Sequence, residues 1–159
     1  MGGGALCLRV RLAGEIEVAL PPDQAFGLFT PSGEREWAEG WDPVFLAPGA
    51  DETEPGTVFT TAHGERRATW TVVGREAPIA ISYVTLTPGE RVGLVTVRLR
   101  PSATGSIAGV GYDLTALAPE ANPGLQTFAD HYPHFLEHWQ DAIAAALAAR
   151  AHAQKPGPG

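Results

Sequence analysis

The sequence predicts an α+β domain in which a curved antiparallel sheet holds one long C-terminal helix. Alternating apolar and polar segments joined by short turns occupy the middle of the chain. Short turns favour antiparallel neighbours, because parallel strands need long crossover connections. Near the end, between Ala121 and Arg150, apolar side chains recur at the spacing of one helical face: Phe128, Tyr132, Phe135, Leu136, Trp139, Ile143, Ala146 and Leu147.

The expected elements follow in order along the chain. Alternation predicts a first strand over residues 6–20, with a bulge at Gly14. Pro21-Pro22-Asp23 then starts a short helix, since proline is tolerated in the first helical turn and Asp favours its positive end. A second short helix is expected at 34–38, ending at Gly40. Further strands, bounded by turns, are predicted at 44–46, 56–63, 66–75, 79–87, 92–100 and 107–117.

Pro133 interrupts the C-terminal helical pattern. An interior proline costs about 3 kcal/mol because it removes a hydrogen bond and clashes with the preceding turn. Two solutions are open: the main helix begins near Asp130, with Pro133 in its first turn, or an earlier helix is kinked at Pro133.

Composition and charge limit the function classes. The chain has 159 residues, of which 44% are hydrophobic and 18% charged, which indicates one globular domain. The formal net charge of -7 argues against nucleic-acid binding, since phosphate backbones need a basic surface. The same charge disfavours an anionic membrane surface as a partner, and no apolar run is long enough for stable membrane insertion.

The termini and the cysteine give weaker indications. The start of the chain lacks the features of a signal peptide, so the expected location is cytoplasmic. Residues 1–5 and 151–159 are expected to be disordered, which leaves residues 6–150 as the single domain. Cys7 is the only cysteine, so no intramolecular disulfide is expected, and we interpret it as a buried structural thiol.

Several short segments occur in a recognisable order: Glu15-Ile16-Glu17-Val18 entering Pro21-Pro22-Asp23-Gln24-Ala25-Phe26, then Gly40-Trp41-Asp42-Pro43, Pro88-Gly89-Glu90-Arg91-Val92 and Phe135-Leu136-Glu137-His138-Trp139. With the order of elements, they resemble the START-like (SRPBCC, Bet v 1-like) superfamily, in particular bacterial polyketide cyclase/dehydrase-type and Hsp90-activator-like members. The resemblance implies the helix-grip fold: a seven-stranded curved sheet, two short helices, and a long C-terminal helix enclosing an apolar cavity. It implies no particular reaction, because one fold hosts many functions.

Strand parity predicts which side chains face that cavity. Arg98 and Arg100 should face solvent, which turns their neighbours Val95 and Val97 inward. By the same reasoning, and with the aromatic face of the helix opposite, the predicted ligand-binding residues are Trp70, Tyr83, Val95, Val97, Tyr112, Phe128, Tyr132, Phe135 and Trp139. The alternative is that these side chains simply fill a solid core.

Metal and catalytic patterns are sparse. His134 and His138 have the i, i+4 spacing that can hold zinc, but with His131 they form a stripe away from the aromatic face, so we interpret the stripe as solvated. No metal and no cofactor is predicted. The acidic residues near the second short helix are interpreted as its solvated face: Glu34, Glu36 and Glu39.

Three functions are consistent with the sequence. The leading one is binding of a small apolar or aromatic ligand between the sheet and the C-terminal helix. The second is a cyclase/dehydratase-type enzyme acting on a polyketide-like or lipid-like substrate, with Tyr83, Tyr112 or His131 as reacting groups. The third is a cochaperone-like protein-interaction module. Whether the protein is an enzyme stays open. The expected partner is a small hydrophobic molecule, and exposed sheet edges could also pair into a homodimer.

Overall fold

A computed structural model of the chain describes residues 6–153. Its one sheet contains seven strands, numbered along the chain: β1 (Arg9–Val18), β2 (Val44–Phe45), β3 (Val58–His63), β4 (Arg66–Glu76), β5 (Ala80–Thr87), β6 (Arg91–Ser102) and β7 (Gly105–Ala116). The helices are α1 (Pro22–Ala25), α2 (Asn122–Asp130) and α3 (Tyr132–Ala153), with short 3-10 segments at Phe26–Phe29, Gly33–Glu36 and Pro119–Ala121.

Strands β2 to β7 form an antiparallel meander, and β1 pairs with β7 at one edge of the sheet. The spatial order is β1-β7-β6-β5-β4-β3-β2, and every neighbouring pair is antiparallel. The predicted α+β helix-grip architecture is therefore confirmed. The predicted strands are all present, with boundaries within about three residues of those expected.

Strand parity places the core on one face of the sheet. Val95, Val97 and Leu99 of β6 are buried, whereas Arg98 and Arg100 are exposed. The same alternation runs along β5 and β7: Ile81, Tyr83, Ala108 and Val110 join one cluster with α3, and Leu114 and Ala116 of β7 pack with Leu125 of α2 in a second. The sheet thus has one polar face and one apolar face, as an antiparallel sheet with one solvated side should.

The prediction of a bulge at Gly14 is wrong. Gly14 pairs with Val110 in an unbroken β1–β7 register, and the register shift instead lies in β4 between Val72 and Gly74. Gly14 serves a different purpose: a Cβ at this position would lie 2.4 Å from Leu136 Cδ1. The glycine therefore lets α3 pack directly on β1.

The C-terminal helical region is two helices. The first, α2, ends at Asp130, and α3 starts at Tyr132. Pro133 therefore lies in the first turn of α3, where proline is tolerated, and not in a helix interior. Helix α3 continues through Ala153, three residues beyond the predicted domain limit at Arg150. The disorder predicted for residues 1–5 and 154–159 lies outside the described residues.

Cys7 lies just before β1 and is exposed, so its interpretation as a buried structural thiol is wrong. Successive side chains of a strand point to opposite faces, and Val10, three residues later, is on the buried face. Cys7 therefore falls on the exposed face. Within residues 6–153, no helix is both long and apolar enough to cross a bilayer.

Substitution of Gly14 should test the close contact between β1 and α3. We expect Gly14→Ala to lower the free energy of unfolding by about 1–3 kcal/mol, because the added methyl overpacks against buried Leu136. Urea unfolding measures this change. Gly27→Ala is the control, since nothing lies within 4 Å of a Cβ there.

A double-mutant cycle separates the contact from other effects of losing a glycine. The cost of Gly14→Ala should be smaller in a Leu136→Ala background, where the colliding side chain is gone. An equal cost in both backgrounds would show that the Leu136 contact is not the constraint.

Candidate functional site

A cavity of about 200 Å³ lies between the apolar face of the sheet and helix α3. Seven of the nine predicted residues line it: Trp70, Tyr83, Val95, Val97, Tyr112, Phe135 and Trp139. Five further residues complete the wall, all from the region between β1 and β2: Phe29, Glu34, Trp37, Ala38 and Trp41. That a ligand occupies this cavity stays a prediction.

Phe128 and Tyr132 do not line the cavity but support its wall. Their rings lie 5.4 and 5.8 Å from the ring of Tyr112. The Tyr132 hydroxyl donates a hydrogen bond of 2.7 Å to the carbonyl of Val110. Both residues thus pack against Tyr112 outside the cavity. Phe128 does so from α2 and Tyr132 from the start of α3.

All four tryptophans of the chain belong to the cavity wall. Trp37 and Trp139 meet edge to face with ring centroids 5.0 Å apart, and Trp41 and Trp70 do so at 5.3 Å. Edge-to-face contacts are a preferred arrangement of aromatic rings and fix their orientation. The wall is therefore rigid and apolar.

Three polar groups of the wall are tied to one stretch of backbone. Trp37 Nε1 donates to the carbonyl of Leu28 at 2.7 Å, and Trp41 Nε1 donates to the carbonyl of Pro31 at 2.7 Å. Tyr83, which is only 4% exposed, donates from its hydroxyl to the carbonyl of Phe29 at 2.8 Å. These carbonyls lie at the end of the Phe26–Phe29 3-10 segment or just after it, where they would otherwise lack intrahelical partners. The side chains satisfy them and turn their own polar atoms away from the cavity.

Glu34 contributes the one charged side chain of the wall within residues 6–153. The interpretation of Glu34 as part of a solvated helix face is wrong. Residues Gly33–Glu36 form a 3-10 segment, in which positions i and i+3 stack on one side, so Glu34 shares the side of buried Trp37. Glu36 and Glu39 are exposed, as predicted.

A close backbone approach fixes this segment. A Cβ on Gly33 would lie 1.7 Å from the carbonyl oxygen of Gly27, so only glycine fits. Thr30 adds to the same turn, because its hydroxyl donates to Gly27 and accepts from the Gly33 amide. The Glu34 backbone is therefore held against the preceding turn.

Burial raises the pKa of the Glu34 carboxyl well above its usual range. Among the described residues, no hydrogen bond to this carboxyl is recorded. The Tyr112 pKa is also raised, first by burial and then by Glu34 and Tyr132. The Tyr112 hydroxyl likewise has no recorded partner within residues 6–153. Glu34 and Tyr112 are the groups through which this cavity can hydrogen-bond a ligand.

A second cleft, of about 540 Å³, adjoins the cavity. The two share Trp37, Ala38, Phe135 and Trp139, and the cleft continues to exposed His63 and His138. We name this cleft the vestibule. It offers a route between solvent and the aromatic cavity.

A larger cleft, of about 700 Å³, lies between the end of β1 and the C-terminal half of α3. Two of its polar side chains already have partners: Gln140 accepts a hydrogen bond from the Glu17 amide, and Arg150 pairs with Glu36. Much of its remaining wall is alanine. The aromatic cavity is the better candidate because its wall is largely aromatic and apolar with a few polar groups, as is typical of ligand sites.

The histidine stripe is exposed, as predicted: His131, His134 and His138. His131 Nδ1 lies 2.9 Å from the carbonyl of Thr127, and His134 lies beside Glu137. Within the described part of the chain, no group of three His, Cys, Asp or Glu side chains is placed to hold a metal.

Comparison with known proteins agrees with this architecture. A family described as polyketide cyclase / dehydrase and lipid transport matches residues 9–152. The chain belongs to this family. The START-like resemblance of the sequence is thereby confirmed. A comparison with curated proteins gave no match.

Solved structures share the fold. A Rhodobacter sphaeroides protein is 24% identical with a TM-score of 0.62, and the alignment covers 93% of this chain and 97% of that one. Norcoclaurine synthase from Thalictrum flavum is 12% identical with a TM-score of 0.62, covering 89% and 88%. DynU16, from the dynemicin biosynthetic locus, is 17% identical with a TM-score of 0.60, covering 88% of this chain and 47% of that one.

The two cavity tyrosines should differ in their effect on stability. Tyr83→Phe leaves the buried Phe29 carbonyl without a donor, so we expect a loss of about 1–3 kcal/mol in the free energy of unfolding. Tyr112→Phe removes a hydroxyl with no recorded protein partner and should change stability by less than about 0.5 kcal/mol. Urea unfolding of both variants measures the difference. Equal losses would contradict these roles.

The buried carboxyl should make stability depend on pH. The folded protein holds the Glu34 proton more tightly than the unfolded chain, whose glutamates have a pKa of about 4.3. The wild-type free energy of unfolding should therefore fall, relative to that of Glu34→Gln, as the pH rises above about 4.3. The difference in the free energy of unfolding grows by at most about 1.4 kcal/mol per pH unit. It stops growing once the pH exceeds the pKa of Glu34 in the folded protein.

Urea unfolding at a series of pH values measures this effect. Glu65→Gln, which changes an exposed glutamate in the β3–β4 turn, is the charge-matched control and should follow the wild-type curve. If Glu34→Gln also ran parallel to the wild type at every pH, the carboxyl would not be buried as described.

Proposed function

We propose that the protein binds a small apolar or aromatic molecule in the cavity between the sheet and α3. The observation that carries this proposal is an open volume of about 200 Å³ walled by aromatic rings whose polar atoms are largely turned away. Ligand sites are typically apolar, with a few placed polar groups. Membership of a family described by polyketide cyclases, dehydrases and lipid transport supports the same proposal.

The volume limits the size of the ligand. An apolar cavity of about 150 Å³ accepts benzene. By proportion, a cavity of about 200 Å³ accepts about eight non-hydrogen atoms, which is one ring with a short substituent. A whole lipid or an extended polyketide chain exceeds this, so any such molecule would occupy the vestibule as well.

A cyclase/dehydratase-type enzyme is the second candidate, and Glu34 with Tyr112 is the observation that favours it. A carboxyl whose pKa burial raises well above its usual range can act as a general acid. Of the groups suggested by the sequence, Tyr83 donates its hydroxyl proton to the carbonyl of Phe29, and His131 is exposed. Tyr112 is the one that stays available.

The remaining expectations from the sequence stay predictions: a protein-interaction role, pairing into a homodimer, and a cytoplasmic location. The proposed ligand site requires none of them, because the residues that carry it all belong to one chain.

Tryptophan fluorescence provides a direct test of binding, since every tryptophan lies on the cavity wall. We expect n-propylbenzene, which has a fitting size, to change the emission saturably. The bulkier 1,3,5-triisopropylbenzene should not. Ala38→Leu should weaken n-propylbenzene binding by about tenfold or more, since its side chain enters the cavity.

The matched control is Ala145→Leu, at an exposed position of α3. It should bind n-propylbenzene like the wild type. A wild-type protein with neither a saturable emission change nor a higher unfolding temperature in n-propylbenzene would contradict ligand binding and favour a filled core.

A further inference from the structure

We propose that the molecule bound in the aromatic cavity is a small amine, with its ammonium group held against the Glu34 carboxylate and its hydrocarbon part among the tryptophan rings. This inference rests on the proposed binding function and names the chemical class of its ligand.

The first argument is the unbalanced charge of the cavity. Glu34 is the only acidic or basic side chain on the wall within residues 6–153, and no hydrogen bond or ion pair of its carboxyl is recorded there. Glu34 is half-buried, and withdrawing a carboxylate from water without a partner is unfavourable. The protein supplies no counter-ion, so a cationic ligand is the group that would complete the pair.

Two cations close to this segment, Arg35 within it and Arg150 on α3, are already paired elsewhere. Arg35 donates to Asp42 and to the carbonyl of Pro43 on the outer side of the segment. Arg150 of α3 pairs with Glu36. Neither can turn into the cavity without breaking an existing pair, so neither neutralises Glu34.

The second argument is the chemistry of the surrounding rings. Trp37, Trp41 and Trp70 donate their indole N–H groups to protein acceptors, so they present ring carbon rather than donors to the cavity. Aromatic rings attract cations electrostatically, most strongly when both are removed from water. Together, a carboxylate and several tryptophans provide two kinds of attraction for one ammonium group.

Other ligand classes fit this wall less well. An anion, such as a fatty-acid carboxylate, would meet Glu34 and no cation. A hydrocarbon would fill the volume but leave the carboxyl unpartnered. An alcohol or ketone would bind the protonated acid but gain nothing from the cation–π attraction. An amine uses both the carboxyl and the rings.

Binding of the amine has a definite proton balance. In the free state the amine carries its proton, and Glu34 is protonated where its raised pKa exceeds the pH. In the complex one ammonium faces one carboxylate, so one proton is released to solvent. Amine affinity should therefore rise with pH, about tenfold per unit while free Glu34 is protonated. The affinity of a ligand that accepts a hydrogen bond from the protonated acid should instead fall when Glu34 ionises at higher pH.

The Glu34→Gln variant separates this dependence from any effect of the other titratable groups near the site. Tyr83 and Tyr112 face Glu34 from β5 and β7, and burial raises the pKa of both. Helix α3 contributes only Phe135 and Trp139 to the wall. The remaining charged neighbours lie outside the cavity: Arg35, Glu36, Glu52, His63 and His138.

Three ligands of nearly equal size separate the possibilities: 2-phenylethylamine, 2-phenylethanol and n-propylbenzene. Tryptophan emission of the full chain reports binding of each between about pH 5 and pH 9. We expect the amine to bind at least about tenfold more tightly than the other two at the upper end of this range, with an affinity that rises with pH. The affinity of n-propylbenzene should not change with pH.

Glu34→Gln should weaken 2-phenylethylamine binding at least about tenfold and abolish its pH dependence. Retained binding of n-propylbenzene by this variant shows that it is folded with its cavity intact. Glu65→Gln, the exposed control, should bind all three ligands like the wild type.

The possible failures are distinguishable. If n-propylbenzene or 2-phenylethanol binds as tightly as the amine at every pH, or if Glu34→Gln leaves amine binding unchanged, the amine inference is overturned while the binding function stands. If none of the three ligands binds the wild type, the binding function is overturned and the inference with it.

Discussion

The cavity depends on one short stretch of backbone, residues 28–31. Its carbonyls accept hydrogen bonds from Trp37, Tyr83 and Trp41, two of which lie in the following loop and one in the middle of β5. These bonds tie the segment after α1 to the sheet. They also orient the rings and, through the turn at Gly33, bring Glu34 to the wall. Without them, the loop carrying both Trp37 and Glu34 would have little to hold it over the sheet, because its 3-10 turns are short.

Much of the fold could be predicted because it follows from periodicity. Each strand has one buried face, and a shift of one residue would expose all its apolar side chains, so alternation alone identifies Val95 and Val97 as inward. Pro133 similarly indicates where α3 begins, since proline is tolerated there and hardly anywhere else in a helix. Gly14 could not be interpreted in this way. Its role depends on the position of Leu136, more than a hundred residues later in the sequence.

The part of the cavity wall that the sequence missed lies outside the regular elements. Trp37 and Trp41 belong to a loop region, where no period of two or 3.6 residues shows which way a side chain points. Three glutamates close together in a short helix indicate a solvated face, and this pattern is right for Glu36 and Glu39. Glu34 differs because it lies three residues before Trp37 and shares the side of that buried ring. The local signal that could have been used is the pair of large tryptophans in an otherwise polar stretch, since such side chains are seldom left in water.

The stability of the protein itself argues against a passive core. In apolar cores, unfilled volume costs about 24 cal/mol per Å³, so a cavity of about 200 Å³ costs up to about 5 kcal/mol. That is comparable with the whole stability of a marginal domain. The buried carboxyl of Glu34 adds a second unfavourable term at the same place, although an alanine or leucine there would remove it. The amine proposed above would offset both terms at once, because it would fill the volume and pair with the acid.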